Sequence, residues 1–448
     1  MRHPEQPPEW KEILHKMKGE KMIKLFTDNE LNIRLKEIDA GYPYWDRFKR
    51  KTKDFDEPSE VLWAIAKVVR NQHITNLSLC HLPEFKFKYN TTSKILQRLH
   101  EFDLHLGGVL EGKSIIPSDD RSRYLISSIM EEAIASSQLE GAATTREIAK
   151  QMLRTKRKPV TLSEKMILNN YLTIKKVLEY KDKKITKDLI LEIHSIISKG
   201  TLENVANEGK FRENNKINVV DSVTGEIFYT PPSHEKIEML MDHFCEFINT
   251  EDETQFTHPI VKGIILHFLI GYIHPFVDGN GRTARAMFYW FLLSKGYWLV
   301  EFMSISKIII RAPAQYAKAY LHTEYDENDL TYFIDYNLKS LDLALQNLQN
   351  YIKRKVMEKK NLMHMIKHEN VNERQADLMR GLIIDNHQSY TINEVQTQYG
   401  ISYQTARTDL FSLQEMGYLK EKKFGKKLIF FKVDDFDDKL ENVMQSDR

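Results

Sequence analysis

With 448 residues, 42% of them hydrophobic, the chain has room for two to four domains with real cores. A formal charge of +2 gives no overall pull toward nucleic acid or acidic lipid. Cys80 and Cys245, its two cysteines, exclude a disulfide scaffold and a cysteine-rich zinc site.

The opening stretch MRHPEQPPEWKEILHKM has no apolar core of the signal-peptide kind. Residues 1–115 read as a helical N-terminal domain, with helical spacing at Val61–Val69 and Thr92–Leu110. Gly107-Gly108 and the Pro117 to Asp120 stretch then break the chain. An amphipathic helix follows over 122–141, its apolar stripe made by Leu125, Ile129, Ala133, Ile134 and Leu139, with Gly141 as its stop. Helices are expected over 161–200, 233–250, 259–273 and 282–295. Between the first two lies a hairpin, Ile217 to Asp221 and Glu226 to Thr230, turning through Ser222, Val223, Thr224 and Gly225. The apolar run from Ile260 to Ile273 is interrupted by Lys262 and His267 and is too short to cross a bilayer. A cytoplasmic protein with no membrane partner is expected.

From Leu330 to His368 the spacing predicts one or two long helices, with 341–370 as a linker helix. Residues 374–433 change character. A helix at 374–386, a capping box at Thr391 to Glu394, a turn at Gly400 and a helix at 402–416 precede two strands around the basic stretch 422–427. That order is the layout of a winged helix-turn-helix.

The densest chemistry lies in His274-Pro-Phe-Val-Asp-Gly-Asn-Gly-Arg-Thr-Ala-Arg285. Glycines flanking Asn280 permit a tight turn. A helix expected to start near Arg282 would point its free N–H groups and dipole at an anion. Arg282 and Arg285 are three apart, on one helix face, and two guanidinium forks suit a polyphosphate.

These residues resemble the Fic family signature, with every defined position filled: His274, Phe276, Asp278, Gly279, Asn280, Gly281, Arg282 and Arg285. The resemblance implies an all-α core with a small hairpin over 120–340. It also implies transfer of AMP from ATP to a Ser, Thr or Tyr hydroxyl of a target protein or of the chain itself, releasing pyrophosphate. His274 would be the general base, Asp278 the Mg²⁺ ligand, and Gly279, Asn280 and Gly281 the phosphate cradle. Arg282 and Arg285 would take the β- and γ-phosphates. Ser136-Ser-Gln-Leu-Glu140-Gly141 resembles the family's inhibitory motif. Glu140 would then pair with Arg285, and Ser136 would orient Glu140.

The hairpin resembles the family's flap, which would dock an extended target segment through Ile217, Val219, Val220, Ile227, Phe228 and Tyr229. Gly209-Lys-Phe-Arg212 also fits the family pattern, Arg212 in a structural role. The spacing of His258, His267 and His274 is not that of metal ligands. In the 374–432 segment nine Lys/Arg against six Asp/Glu make a modest basic footprint. Gln404, Thr405 and Arg407 on one helix, with Lys422, Lys423, Lys426 and Lys427 on the wing, could contact DNA; Asp409 and Glu415 on the same helix oppose it. Three alternatives stay open: a DNA-binding regulator whose core only senses nucleotide, an enzyme that removes AMP, and a homodimer.

Overall fold

The computed structural model describes residues 3–106, 121–220, 224–251, 254–368, 371–384, 389–424 and 427–439. The expected breaks at Gly107-Gly108 and 117–120, part of the hairpin turn (Asp221, Ser222, Val223) and Lys426 lie outside them. The fold is mainly helical, with three small antiparallel sheets, and falls into two compact units, Met1–Gln346 and Asn347–Arg448.

The first unit opens with five helices, α1 (Trp10–Lys16), α2 (Gly19–Thr27), α3 (Asn29–Asp39), α4 (Trp45–Lys51) and α5 (Ser59–Asn71), then strands β1 (Ile74–Ser78) and β2 (Lys86–Asn90) and helix α6 (Ser93–Leu106). The β1–β2 hairpin is absent from the sequence expectation of a purely helical lead. Its pairing sets Leu77 opposite Phe87, and Phe87 then meets Phe268 and Tyr272 edge-on. Buried ion pairs hold this lead segment in place. Lys67 meets Asp326 at 2.8 Å with both side chains almost wholly enclosed, and Arg70 joins Asp39 to the Tyr332 hydroxyl. Charges this deep need full pairing to be tolerated.

Helices α7 (Arg121–Leu139), α8 (Arg146–Thr155), α9 (Leu162–Glu179) and α10 (Lys187–Ser198) come next. Threonine N-caps start the last three, at Thr145, Thr161 and Thr186. The short strands β3 (Val219–Val220) and β4 (Ile227–Tyr229) follow, then α11 (Ile237–Asn249), α12 (Pro259–Ile273), α13 (Asn280–Ser294), α14 (Ser306–Ile309), α15 (Pro313–Tyr325) and α16 (Thr331–His368). The hairpin strands are shorter than expected, and Ile217 lies outside both. Helix α16 is one continuous element that starts ten residues before the expected linker helix at 341.

Helices α12 and α13 are buried nearly all round, as apolar residues on every face require. They pack closely because Gly263 carries no side chain: a β-carbon there would lie 3.0 Å from the Phe291 ring and 3.3 Å from Phe288 and Leu292. The loop 274–279 is therefore held between two helices fixed in the core.

The second unit contains α17 (Glu373–Ile384), β5 (Ser389–Thr391), α18 (Ile392–Tyr399), α19 (Tyr403–Glu415), β6 (Leu419–Phe424) and β7 (Lys427–Lys432). Its sheet runs β5-β7-β6. Leu378, Met379, Leu382, Val395, Ala406, Leu410, Leu413 and Phe430 form its own core. Among the described residues, no helix is long and apolar enough to cross a membrane.

Candidate functional site

The site is built at the joint between α12 and α13. His274 caps α12 in the left-handed conformation, φ 50° and ψ 58°, which is uncommon for a residue with a side chain. This turns the chain out of the helix. Phe276, wholly buried, anchors the loop. Asn280 closes it: its amide oxygen accepts from the Phe276 N–H and its amide nitrogen donates to the Phe276 carbonyl, both at 2.9 Å. The Asn280 side chain is thus a brace for the loop, and only its main chain is available to the expected phosphate cradle.

Gly279, at φ 83°, lets the chain turn straight into α13. That helix begins at Asn280, two residues before the expected start. Its first-turn N–H groups have no helical partner and form the anion-attracting end.

The His274 ring shares a hydrogen bond through Nδ1 with the Gly271 carbonyl at 3.2 Å. If Nδ1 carries the proton, the Nε2 lone pair is left free to take another. Burial lowers the imidazole below its ordinary range, with the Gly271 bond and the Glu140 charge opposing. A neutral ring near pH 7 is the form a general base needs.

Asp278 accepts from the Gly279 N–H at 2.6 Å and faces Arg282 at 3.3 Å, with its side chain 55% exposed. One accessible carboxylate suits Mg²⁺, which keeps several waters and takes further oxygens from phosphates. Among the described residues no cluster of three metal-ligating side chains occurs.

The two arginines differ. Arg282 is fully buried. Its Nη1 donates to the Ile197 carbonyl and its Nη2 to Asp278, while Nε has no partner among the described residues. It pairs with the Asp278 carboxylate, the expected Mg²⁺ ligand. Arg285 Nε donates to the Ser136 hydroxyl at 2.9 Å, and its Nη2 to the Ser136 carbonyl at 2.9 Å and to Glu140 at 2.8 Å. Ser136 therefore grips Arg285, where the sequence reading had it orienting Glu140. Burial alone would push the Glu140 carboxyl up, but the charge and hydrogen bond of Arg285 hold it below its ordinary value. Gly141 sits just past the end of α7 at φ 92°, a left-handed stop that glycine adopts freely.

Two residues that sequence reasoning missed or undervalued support this centre. His194, on α10, stacks on Phe276 at 3.7 Å. Its Nε2 lies 2.9 Å from the Asp278 carbonyl and its Nδ1 accepts from the Gly209 N–H. The bond at Nδ1 places the proton on Nε2. Burial pulls His194 down to about 4. Arg212 bonds to the His274 carbonyl. Neither contact has a spacing signature, because the partners lie far apart in the chain.

In the flap, Tyr229 donates to the Tyr272 carbonyl at 2.9 Å, while Val220 and Ile227 are exposed. Ile217 stands apart from the paired strands. Phe228 meets the His3 ring edge-on. His258 caps α12 and bonds Asp103, and His267 bonds Tyr316. In the second unit, Gln404, Arg407, Lys422 and Lys423 are exposed. The Thr405 hydroxyl is used at the start of α19, 2.8 Å from Ser402. Asp409 is buried and paired with Arg374 and Asn372.

Residues 184–292 match the Fic/DOC family. A protein adenylyltransferase Fic of Nematostella vectensis is 26% identical over 51% of this chain and 54% of that protein. One of Drosophila mojavensis is 32% identical over 36% of this chain and 29% of that protein. The chain thus spans about half, or less, of the length of these curated relatives. A solved C. elegans Fic-1 segment (16% identity, TM-score 0.48) covers 78% of this chain and 92% of that one. A Fic family protein from Desulfovibrio desulfuricans G20 (17%, TM-score 0.47) covers 76% and 95%. Residues 184–292, with the signature from His274 to Arg285 inside them, form a Fic domain.

Proposed function

We propose that this chain is a protein adenylyltransferase that moves AMP from ATP to a Ser, Thr or Tyr hydroxyl of a protein, itself included, and is held back by Glu140. The observation that carries the reading is the partly buried His274 ring, bonded through Nδ1 to the Gly271 carbonyl, beside the glycine-framed N-terminus of α13. The target hydroxyl oxygen attacks the α-phosphorus, Nε2 of His274 takes the hydroxyl proton, and the bond to pyrophosphate breaks. The first-turn N–H groups of α13 carry phosphate charge. Asp278 would hold Mg²⁺, which would neutralise phosphate charge. The flap's exposed strand edge would align an extended target segment with His274. With Arg285 bound to Ser136 and Glu140, the γ-phosphate has no claim on that guanidinium.

The test is incorporation of labelled AMP into protein with Mg²⁺ present. Glu140→Gly should raise it several-fold, and His274→Ala should abolish it in either background. Label that persists without His274 would sink the proposal, and an unchanged rate in Glu140→Gly would remove the autoinhibition. If the Glu140 carboxylate instead positions water, the chain removes AMP from a modified protein. Incubation with an adenylylated target reads that activity.

A second proposal concerns the C-terminal unit, read as a winged helix that binds duplex DNA. The supporting observation is the inward turn of Asp409. With that acid taken inward, the outer face of the first two turns of α19 offers Tyr403, Gln404, Arg407 and Thr408, with no carboxylate among them. Fluorescence anisotropy with random duplex DNA should show binding that weakens with salt and with Arg407→Ala. No binding at low salt would leave docking or dimerisation as the use of this face.

A further inference from the structure

Arg212 is a buried guanidinium, 3% exposed, and no carboxylate is bonded to it among the described residues. Oxygens surround it instead. Its Nε donates to the His274 carbonyl at 2.9 Å. Its Nη1 donates to the Asn214 carbonyl at 2.9 Å and to Asn215 Oδ1 at 3.3 Å, and its Nη2 donates to the Pro232 carbonyl. Its own N–H reaches the Pro275 carbonyl at 2.8 Å.

Asn214 and Pro232 lie on the two stems of the flap, one before β3 and one after β4. The Arg212 fork therefore ties both stems to the main chain of the residue that carries the base. Asn215 extends the bridge: its Oδ1 also accepts from the His234 N–H at 2.7 Å and its Nδ2 donates to Ser233 at 3.2 Å. A lysine could not make this connection, since a single ammonium lacks the planar fork. A buried cation is costly, and here several oxygens rather than a counter-charge compensate it. A neutral side chain would be the cheaper choice if packing were the only demand.

We propose that Arg212 is a positioning residue that sets the flap's place relative to His274, so that it governs how a target segment is presented and not how nucleotide is held. This rests on the adenylyltransferase reading for its purpose but not for its geometry. The expected signature is a split. Freed stems loosen the hairpin and weaken target use, while the α13 N-terminus keeps its grip on nucleotide.

The test uses the full chain in the Glu140→Gly background, with Arg212→Met, Arg212→Lys and Asn215→Ala. Asn215→Ala keeps the guanidinium and its three carbonyl contacts, so it serves if Arg212→Met does not fold. Amide exchange is read over residues 214–232 and, as a control, over α12 and α13. Binding of a non-hydrolysable ATP analogue with Mg²⁺ is read by calorimetry. Flap exchange should rise about tenfold in Arg212→Met, and in Arg212→Lys as well, with a smaller rise in Asn215→Ala. Nucleotide affinity should stay within about twofold, and KM for a protein substrate should rise more than kcat falls. Equal exchange gains in α12 and α13, or nucleotide affinity lost in step with the flap, would overturn the proposal in favour of a purely structural arginine. So would unchanged flap exchange. If no variant, the Glu140→Gly parent included, transfers AMP, the transferase reading fails while the exchange result still decides the role of Arg212.

Discussion

Gly281 occupies a place no side chain could share with Glu140. A β-carbon there would lie 2.2 Å from a Glu140 carboxylate oxygen and 3.1 Å from Arg285 Nη1. The carboxylate is the movable partner, being the far end of a flexible chain, so Gly281→Ala should expel it and leave the buried Arg285 guanidinium poorly paired. A loss of about 1–3 kcal/mol is expected, in the range of overpacking. In a Glu140→Gly background the same alanine should be close to neutral, since a helical position ordinarily favours Ala over Gly. Chemical denaturation of the four proteins closes the cycle. Equal losses in both backgrounds would show that the seat belongs to something other than Glu140. The signature from His274 to Arg285 was legible because twelve consecutive residues carry it. The use of Arg282 on Asp278 and of Asn280 as a brace was not, because a four-residue spacing does not say which atoms the turn brings together, and that of Ser136 on Arg285 was not, because the partners lie 149 residues apart.

Among the elements, α15 brings Glu324 beside Tyr229 of the flap and Tyr272 of α12, both of which feel its charge. Burial pushes the Glu324 carboxyl up to about 8. A raised carboxyl stabilises the fold while protonated. That contribution is complete below the ordinary carboxylate range and is lost as pH rises through about 8. Glu324→Gln should therefore raise the melting temperature at pH 9 and change it little at pH 5. A gain of the same size at both pH values would contradict the assignment. The helices of the core were readable from apolar spacing and capping residues. The β1–β2 hairpin was not, since its stability comes from Phe87 meeting Phe268 and Tyr272, contacts that cross most of the unit. The unbroken length of α16 likewise escaped, because nothing in its apolar spacing alone separates one helix from two.

For the molecule as a whole, burial lowers three histidines besides His274 among the described residues: His194 and His322 to about 4 and His267 to about 3. Each is depressed, so the stability it supports is present above the ordinary histidine range and is lost as pH falls from about 6.5 toward 4. Each contributes a slope of about 1.4 kcal/mol per pH unit across that window. His194→Gln should flatten the acid limb of the stability–pH curve, measured by denaturant unfolding from pH 4.5 to 7. An unchanged limb would mean that His194 is already charged in the folded state. His194 lies at the centre of the site, so acid should loosen the signature loop along with the fold.

The guanidinium of Arg285 has a consequence on the far side of the site. If bound Ser136 and Glu140 weaken ATP, thermodynamic reciprocity requires that bound ATP weaken the end of α7 by the same free energy. Nucleotide would then act as a local denaturant of one helical turn. Amide exchange over residues 136–142 should quicken with ATP and hardly respond to ADP, which lacks the competing phosphate. Protection that grows with ATP would show that the two ligands of Arg285 do not compete.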